Sequence, residues 1–220
     1  MFGCKSTDYI KRSLENNPTT SVLVVDHSLK ALSNASAVLF PEFGTRVAFL
    51  RSDPMFTCLH ILPSESTDVA IVPMPTPFRS QSSSHRRLFT CGFVCALHLI
   101  LKKRESVGDD RGFVTFTDSQ PLASFMLEQL DESKLIVPWK QKNPSNTFSS
   151  WIPKQSVSDD DESEPQVVKN FPKQRFPDLI ALAAAKPEVA SKQAIDLIYS
   201  YDYKRRHYNP LDQYSEESGV

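Results

Sequence analysis

The sequence predicts a mixed α/β domain, and three segments support this fold class. Residues 22–25 and 113–116 are short apolar runs that each end near an acidic or hydroxyl residue and pass into an amphipathic segment. Such runs are typical of strands that are buried on both faces of a mainly parallel sheet. Residues 86–104 are apolar nearly all round, which predicts a central buried helix. We therefore expect a three-layer domain with a mixed, mainly parallel sheet, in which residues 22–25 and 113–116 form central parallel strands that are near neighbours.

Shorter patterns predict the remaining elements of residues 1–139. Residues 5–16 should form a helix that ends at Asn16-Asn17-Pro18, and residues 29–35 should form a second one. Residues 121–130 predict a helix after the second apolar strand, and the crossover that they make should be right-handed. Further strands are expected at residues 37–40, 46–50, 57–62, 68–72 and 135–137.

The composition changes after Trp139, which predicts a division of the chain into four parts. Residues 140–176 are rich in Ser, Asn, Lys and Pro and have little to bury, so we expect a disordered linker there. Apolar spacing over residues 177–207 predicts a C-terminal helical hairpin. Residues 208–220 are expected to form a tail.

Charge and cysteine content exclude several classes of protein. Lys and Arg number 25 against 26 Asp and Glu, so the chain is not a polycationic nucleic-acid binder. The spacing of the four cysteines does not resemble a disulfide framework, which indicates a reducing compartment. The first residues do not form a signal peptide, and the longest apolar run, residues 88–101, is too short to span a bilayer. We expect a protein of the nucleus or cytoplasm that is neither secreted nor bound to a membrane.

Polar side chains follow the two principal strands. Asp26 comes directly after residues 22–25, and Asp118 and Ser119 follow residues 113–116. In an open α/β sheet, ligand and catalytic groups collect at the carboxyl ends of such strands. The same residue types also cap helices, so both interpretations stay open at this point.

These strand-end motifs resemble those of PIN-like nucleases over about residues 20–138. Val24-Val25-Asp26-His27-Ser28-Leu29 has the shape of the family's opening motif, and Thr117-Asp118-Ser119-Gln120-Pro121-Leu122 has that of a later one. The resemblance implies a cluster of three or four carboxylates that holds Mg²⁺ or Mn²⁺, which activates water to cut RNA. Asp26 matches this pattern, whereas Arg86 and Ser119 stand where the family carries carboxylates.

The departures from the family pattern favour a protein without catalytic activity. We predict a PIN-like adaptor or scaffold in a protein complex, with ribonucleoprotein and nuclear complexes as candidate settings, and with no cofactor. The alternative is an active metal-dependent endoribonuclease for single strands, with Asp26 and Asp118 as catalytic residues and Mg²⁺ or Mn²⁺ as the cofactor. Arg86, Arg87 and Ser119 are then expected to contact substrate or phosphate, and RNA is a candidate partner.

The last third of the chain suggests an interaction surface and a modification site. Leu197, Ile198 and Tyr201 lie on one side of the last predicted helix, where we expect them to bind a protein partner. Ser158 precedes the acidic run 159–162, which is typical of a site for an acidophilic kinase. An unmodified solubilising linker explains the same pattern equally well.

Three potential metal ligands share one face of the central helix. Cys91, Cys95 and His98 are spaced at i, i+4 and i+7, which could suit a soft metal ion. Zinc sites usually draw ligands from a second element, and free cysteines commonly pack in cores. We therefore favour core packing and predict no metal site.

Overall fold

The computed structural model describes residues 1–4, 7–76, 87–104, 111–142, 167–171 and 176–207. For Tyr9 and residues 167–171, 176–179 and 201–207 it describes the backbone alone. The helices in these parts are α1 (Thr7–Asn16), α2 (Leu29–Phe43), α3 (Pro54–Phe56), α4 (Cys91–Ile100), α5 (Gln120–Ser133) and α6 (Lys192–His207). The strands are β1 (Val22–Asp26), β2 (Val47–Arg51), β3 (Val69–Pro73), β4 (Gly112–Thr117), β5 (Lys140–Lys142), β6 (Val167–Phe171) and β7 (Phe176–Ala185).

Parallel pairs make up the first half of the sheet, and antiparallel pairs make up the second. β1 pairs with β2 and β3 pairs with β4, both in parallel. β7 runs antiparallel to β4 from Phe113↔Ala184 to Thr117↔Ile180. β5 and β6 pair with opposite ends of β7, also in antiparallel fashion. The chain therefore has the mixed α/β fold that the sequence predicts.

The first three residues join the two parallel pairs into one sheet. The amino group of Met1 donates a hydrogen bond to the Leu23 carbonyl at 2.8 Å, and Gly3 N–H donates one to the Val25 carbonyl at 2.8 Å. On the other side, Phe2 N–H donates to the Ile71 carbonyl of β3 at 2.8 Å. The order across the sheet is therefore β2, β1, residues 1–3, β3, β4 and β7.

This order corrects one expectation about the two principal strands. Both predicted strands are present, as β1 and β4, but residues 1–3 and β3 lie between them. The sequence predicts them as near neighbours, and that is wrong. The reason is that residues 1–3 carry no strand-like pattern long enough to be recognised before the sheet is assembled.

The helix predicted in residues 86–104 is present as α4 and lies in the centre of the core. Each residue of Cys91–Ile100 is buried, and Phe93, Leu97 and Ile100 are at most 1% exposed. The Thr90 side chain caps the helix by accepting a hydrogen bond from Phe93 N–H. A second apolar cluster joins α1 and α2 to β1 and β2, through Ile10, Leu14 and their neighbours.

The prediction of a C-terminal helical hairpin is wrong for its first half, because residues 176–185 form the strand β7. Alanine and leucine favour helices, so the local pattern of this segment predicts one. Pairing with β4 on one side and with β5 and β6 on the other overrides that preference. Residues 140–142 and 167–171 are the strands that pair with it, so the linker prediction is wrong for them. The rest of 143–175 and the tail 208–220 lie outside the described residues.

Residues 135–137, predicted as a strand, instead form a turn after α5, in which Leu135 N–H donates to the Glu132 carbonyl at 3.1 Å. Two further strand predictions fail for local reasons. Residues 37–40 belong to α2, which continues to Phe43 with Pro41 inside it. Residues 57–61 form a π-helical turn that follows α3. Asp53 caps the start of α3, where its side chain accepts a hydrogen bond from Phe56 N–H. Both segments are short apolar runs, and such runs do not separate buried helix from strand by periodicity.

A buried lysine attaches the end of β7 to the loop before β3. The Lys186 side chain is 2% exposed, and its Nζ lies 2.9 Å from Glu65 Oε1. We expect Glu65→Gln to lower the free energy of unfolding by about 1–3 kcal/mol, because it removes the countercharge of a buried cation. Urea denaturation of both proteins measures this change.

Asp68 provides a matched control for that substitution. It pairs with Lys102 and Arg111, but its side chain is 56% exposed. Asp68→Asn should therefore cost less than about 1 kcal/mol. Equal losses of unfolding free energy in the two variants would show that the burial of Lys186 does not make its pairing with Glu65 stronger than an exposed ion pair.

Candidate functional site

The chain path defines a topological switch point at the middle of the sheet. After residues 1–3 the chain moves to one side and forms β1 and β2, then returns to the other side and forms β3 and β4. In open α/β sheets the crevice at such a point, outside the carboxyl ends of the strands, is where ligands bind. Cys4, Asp26, Met74 and Asp118 follow the strand ends at this edge. Met74 holds a positive φ of 46°, which is uncommon for a residue with a side chain.

Asp26 is a polar group at this edge that hydrogen bonds hold in place on both of its oxygens. Its Oδ1 accepts a hydrogen bond from Ser28 N–H at 2.8 Å, and its Oδ2 accepts one from Cys4 N–H at 3.2 Å. The Cys4 thiol lies 3.5 Å from the same Oδ2. The carboxylate thus connects the turn after residues 1–3 to the start of α2, and its side chain is 13% exposed.

The capping interpretation of Asp26 is wrong in detail. The residue that caps α2 is Ser28, whose Oγ accepts from Ala31 N–H at 3.2 Å. Asp26 supports this cap from the strand side, through its bond to Ser28 N–H. His27, between the two, is 91% exposed, and its Nδ1 lies 3.5 Å from Asp26 Oδ1, too far for a strong hydrogen bond.

The thiol of Cys4 is held in its protonated form. Burial raises its pKa to about 12, and the nearby Asp26 carboxylate adds to the effect. A thiol that stays protonated at neutral pH is a poor nucleophile but remains a weak hydrogen-bond donor. Cys4 therefore acts on Asp26 as a donor.

Asp118 and Ser119 stand at the same edge, but they do not join Asp26. Ser119 is the N-cap residue of α5 without a side-chain capping bond, and its N–H donates to Thr117 Oγ1 at 3.1 Å. Asp118 is exposed. Three strand spacings separate β1 from β4, which is about 14 Å at the usual distance between strands.

That separation excludes the carboxylate cluster that the resemblance to PIN-like nucleases implies. Two carboxylates must approach within a few ångströms of each other to share one divalent ion. In the part of the chain that the structure describes, no group of three or more His, Cys, Asp or Glu side chains could hold a metal ion. Asp26 and Asp118 are therefore not the two halves of one metal site.

The predicted phosphate contacts are only partly described. Arg86 lies outside the described residues. Arg87 is half-buried, and its guanidinium lies 4.5 Å from the centre of the Phe125 ring, an arrangement that places the cation over the ring. Ser158, the predicted phosphorylation site, also lies outside the described residues.

One residue of the predicted partner-binding stripe is part of the protein's own core. Ile198 is 2% exposed and belongs to the same apolar cluster as α4, together with Ala190 and Ala194. The prediction that Ile198 binds another protein is therefore wrong, because α6 packs this side chain against its own domain. Leu197 is 50% exposed. The side chain of Tyr201 lies outside the described part.

Cys91, Cys95 and His98 are all buried in the core. The His98 ring packs edge-on against Trp139 with 5.0 Å between ring centres. Cys91 N–H donates to the Gln129 side chain of α5 at 2.9 Å. Burial also raises the pKa of the Cys58 thiol far above its ordinary value, so this thiol is a poor nucleophile at neutral pH.

Sequence reasoning missed the turn that begins the site. Gly3 has a φ of +99° and directly precedes Cys4, the partner of Asp26. The available signal was a glycine shortly before a helix, followed by an acidic strand end about twenty residues later. It is weak here because one glycine stands alone in Gly3-Cys4-Lys5-Ser6.

Comparison with known proteins yields similar solved structures but no family. No family model matches the chain, and no curated protein matches it. The [4+2]-cyclase SpnF is 14% identical, with 84% of this chain and 74% of that one covered and a TM-score of 0.47. The YcgJ protein from Bacillus subtilis is 13% identical, with 77% and 83% covered and a TM-score of 0.41.

A third similar structure is an arsenic(III) S-adenosylmethionine methyltransferase from Chlamydomonas reinhardtii. It is 11% identical, with 77% of this chain and 56% of that one covered and a TM-score of 0.39. At these values the likeness identifies neither a substrate nor a reaction for this chain.

The resemblance to PIN-like nucleases is wrong. The similar structures reported above are a cyclase, the YcgJ protein and a methyltransferase. The strand order contradicts the resemblance, since β1 and β4 are not neighbours and, among the described residues, their carboxylates do not converge. The adaptor and nuclease functions that were predicted from that resemblance are therefore wrong as well. No helix among the described residues has the length and apolar character to cross a membrane.

Proposed function

We propose that this protein binds a small nucleoside-containing ligand at the carboxyl edge of its sheet, with Asp26 accepting a hydrogen bond from the ribose. The observation that carries the proposal is the position of the Asp26 carboxylate. It ends the strand next to residues 1–3, beside the switch point, and two backbone N–H groups hold it in place. An acidic side chain at this place in a doubly wound sheet suits ribose hydroxyl groups.

The fold supports this proposal through its layering. Apolar clusters cover the sheet through α1 and α2 in one region and through α4, α5 and α6 in another. We take this arrangement as three layers, which leaves the carboxyl edge as the open crevice. A cytoplasmic or nuclear location is consistent with a soluble ligand of this kind.

The turn before α1 suggests that the ligand lacks a tightly held diphosphate. Dinucleotide-binding turns use three glycines, two of which allow close approach of the diphosphate and of the helix. Here Lys5 and Asp8 stand at the second and third glycine positions after Gly3. Asp8 lies in the first turn of α1, where its negative charge opposes an anion.

Calorimetric titration of the full chain tests the proposal. The ligands are adenosine, S-adenosylmethionine and NAD; S-adenosylmethionine is included only because the name of the algal enzyme contains it. We expect an adenosine-containing ligand to bind, and Asp26→Asn to weaken that binding about tenfold or more, because hydrogen bonds to a charged acceptor contribute about 1.5–3 kcal/mol.

Asp68→Asn is the matched control for this experiment. Asp68 precedes β3 and therefore lies at the amino edge of the sheet, opposite the proposed site. This variant should bind as the wild type does. The proposal fails if none of the three ligands binds, or if Asp26→Asn binds with unchanged affinity.

A further inference from the structure

We propose that Asp26 accepts a hydrogen bond from only one of the two ribose hydroxyls, and that Cys4 imposes this selectivity by occupying the acceptor position that the second hydroxyl would need. This inference rests on the proposed function. It makes Cys4 a positioning residue for the nucleoside.

The acceptor positions of Asp26 can be counted. An ionised carboxylate offers about four lone-pair positions, two on each oxygen. On Oδ2, Cys4 N–H at 3.2 Å takes one position and the Cys4 thiol at 3.5 Å takes the other. On Oδ1, Ser28 N–H at 2.8 Å takes one. Among the residues that the structure describes, no further donor is bound, so one position remains, and it is on Oδ1.

The exposure of the carboxylate agrees with this count. Only 13% of the Asp26 side chain is exposed, so most of its surface is already covered by protein atoms. His27 does not fill the remaining position, because its Nδ1 is 3.5 Å away and its ring points to solvent with 91% exposure. Among the described neighbours, Cys4 is the side chain whose removal would free a second position without disturbing the backbone bonds.

The thiol is suited to this role because it does not ionise near neutral pH. Its buried position beside a carboxylate keeps the proton on sulfur. A thiolate in its place would repel Asp26 and disturb the turn. The Cys4 thiol therefore remains a donor to Oδ2 at neutral pH.

Titration with three nucleosides tests the inference on the full chain. The probes are adenosine, 2′-deoxyadenosine and 3′-deoxyadenosine. For the wild type, we expect one deoxynucleoside to bind about 10- to 100-fold more weakly than adenosine and the other to bind within about threefold. Two deoxynucleosides that are weakened equally would overturn the inference while leaving the proposed function intact.

The Cys4→Ala variant tests the assigned cause. With the thiol gone, Oδ2 can accept the second hydroxyl, so both deoxynucleosides should now bind more weakly than adenosine. A purely structural role for Cys4 would change all three affinities together and leave their ratios unaltered. Cys4→Ser, which keeps a donor, should restore the wild-type ratios.

Cys95→Ala is the control for loss of a buried thiol. Cys95 is 1% exposed and lies within α4, one turn from its start. The ratios of the affinities of the Cys95→Ala variant for the three nucleosides should match those of the wild type. A change in ratio with Cys95→Ala but not with Cys4→Ala would overturn the assignment, whereas a wild type that binds none of the three nucleosides would instead remove the proposed function.

Discussion

Replacing Gly112 with alanine is expected to lower the free energy of unfolding by about 3–5 kcal/mol, the sum of backbone strain and overpacking in a core strand. Gly112 begins β4 with a φ of +145°, a conformation that side chains rarely adopt. A Cβ at this position would collide with the Ala184 carbonyl oxygen and would lie 3.1 Å from Ala185 Cα. Both atoms belong to the backbone of β7, so neither can move without disturbing the β4–β7 pairing. Urea denaturation of wild type and variant measures the loss.

Gly44→Ala separates the two causes of that loss. Gly44 also has a positive φ, of 53°, but a methyl group added there would meet no atom within 4 Å outside its own stretch of chain. This substitution should cost about 1–2 kcal/mol, from backbone strain alone. If Gly112→Ala costs no more than Gly44→Ala, the close approach of β7 to β4 is not a constraint on the fold.

Acidification from pH 6.5 to pH 4 is expected to remove about 3 kcal/mol of stability through His98 alone. The His98 side chain is fully buried, and burial lowers its pKa to about 4, with the Lys186 ammonium adding to the effect. The unfolded chain takes up this proton near pH 6.5, whereas the folded chain resists it until about pH 4. Stability is therefore complete above pH 6.5 and falls as the pH drops through this window. Urea denaturation at pH 7, 5.5 and 4.5 measures the decline.

A His98→Phe variant isolates this contribution from that of the carboxylates. Phenylalanine keeps an aromatic ring against Trp139 but takes up no proton. The difference in unfolding free energy between pH 7 and pH 4.5 should be smaller in this variant by about 2–3 kcal/mol. An equal pH dependence in both proteins would mean that His98 does not titrate across folding.

The local sequence pattern was sufficient to predict the helices and strands that other elements enclose on every side. β1 and β4 are continuous apolar runs, and α4 is apolar on all sides, because each is enclosed by other elements. Enclosure on every side leaves a clear mark on composition, so these elements could be predicted. β7 could not, because its Leu and Ala residues suit a helix equally well until β4 and β5 offer their hydrogen bonds.

The same distinction applies to the candidate site. The sequence by itself determined that Asp26 ends a buried strand and faces the edge where ligands collect. Only the tertiary structure decided that its neighbours would be Cys4 and Ser28 and that Asp118 would lie about three strands away. Strand order depends on hydrogen bonds between segments distant in the chain, here those that residues 1–3 make to both β1 and β3. No local pattern encodes such bonds, which is why a single carboxylate held by two backbone N–H groups stands where the family resemblance implied a cluster.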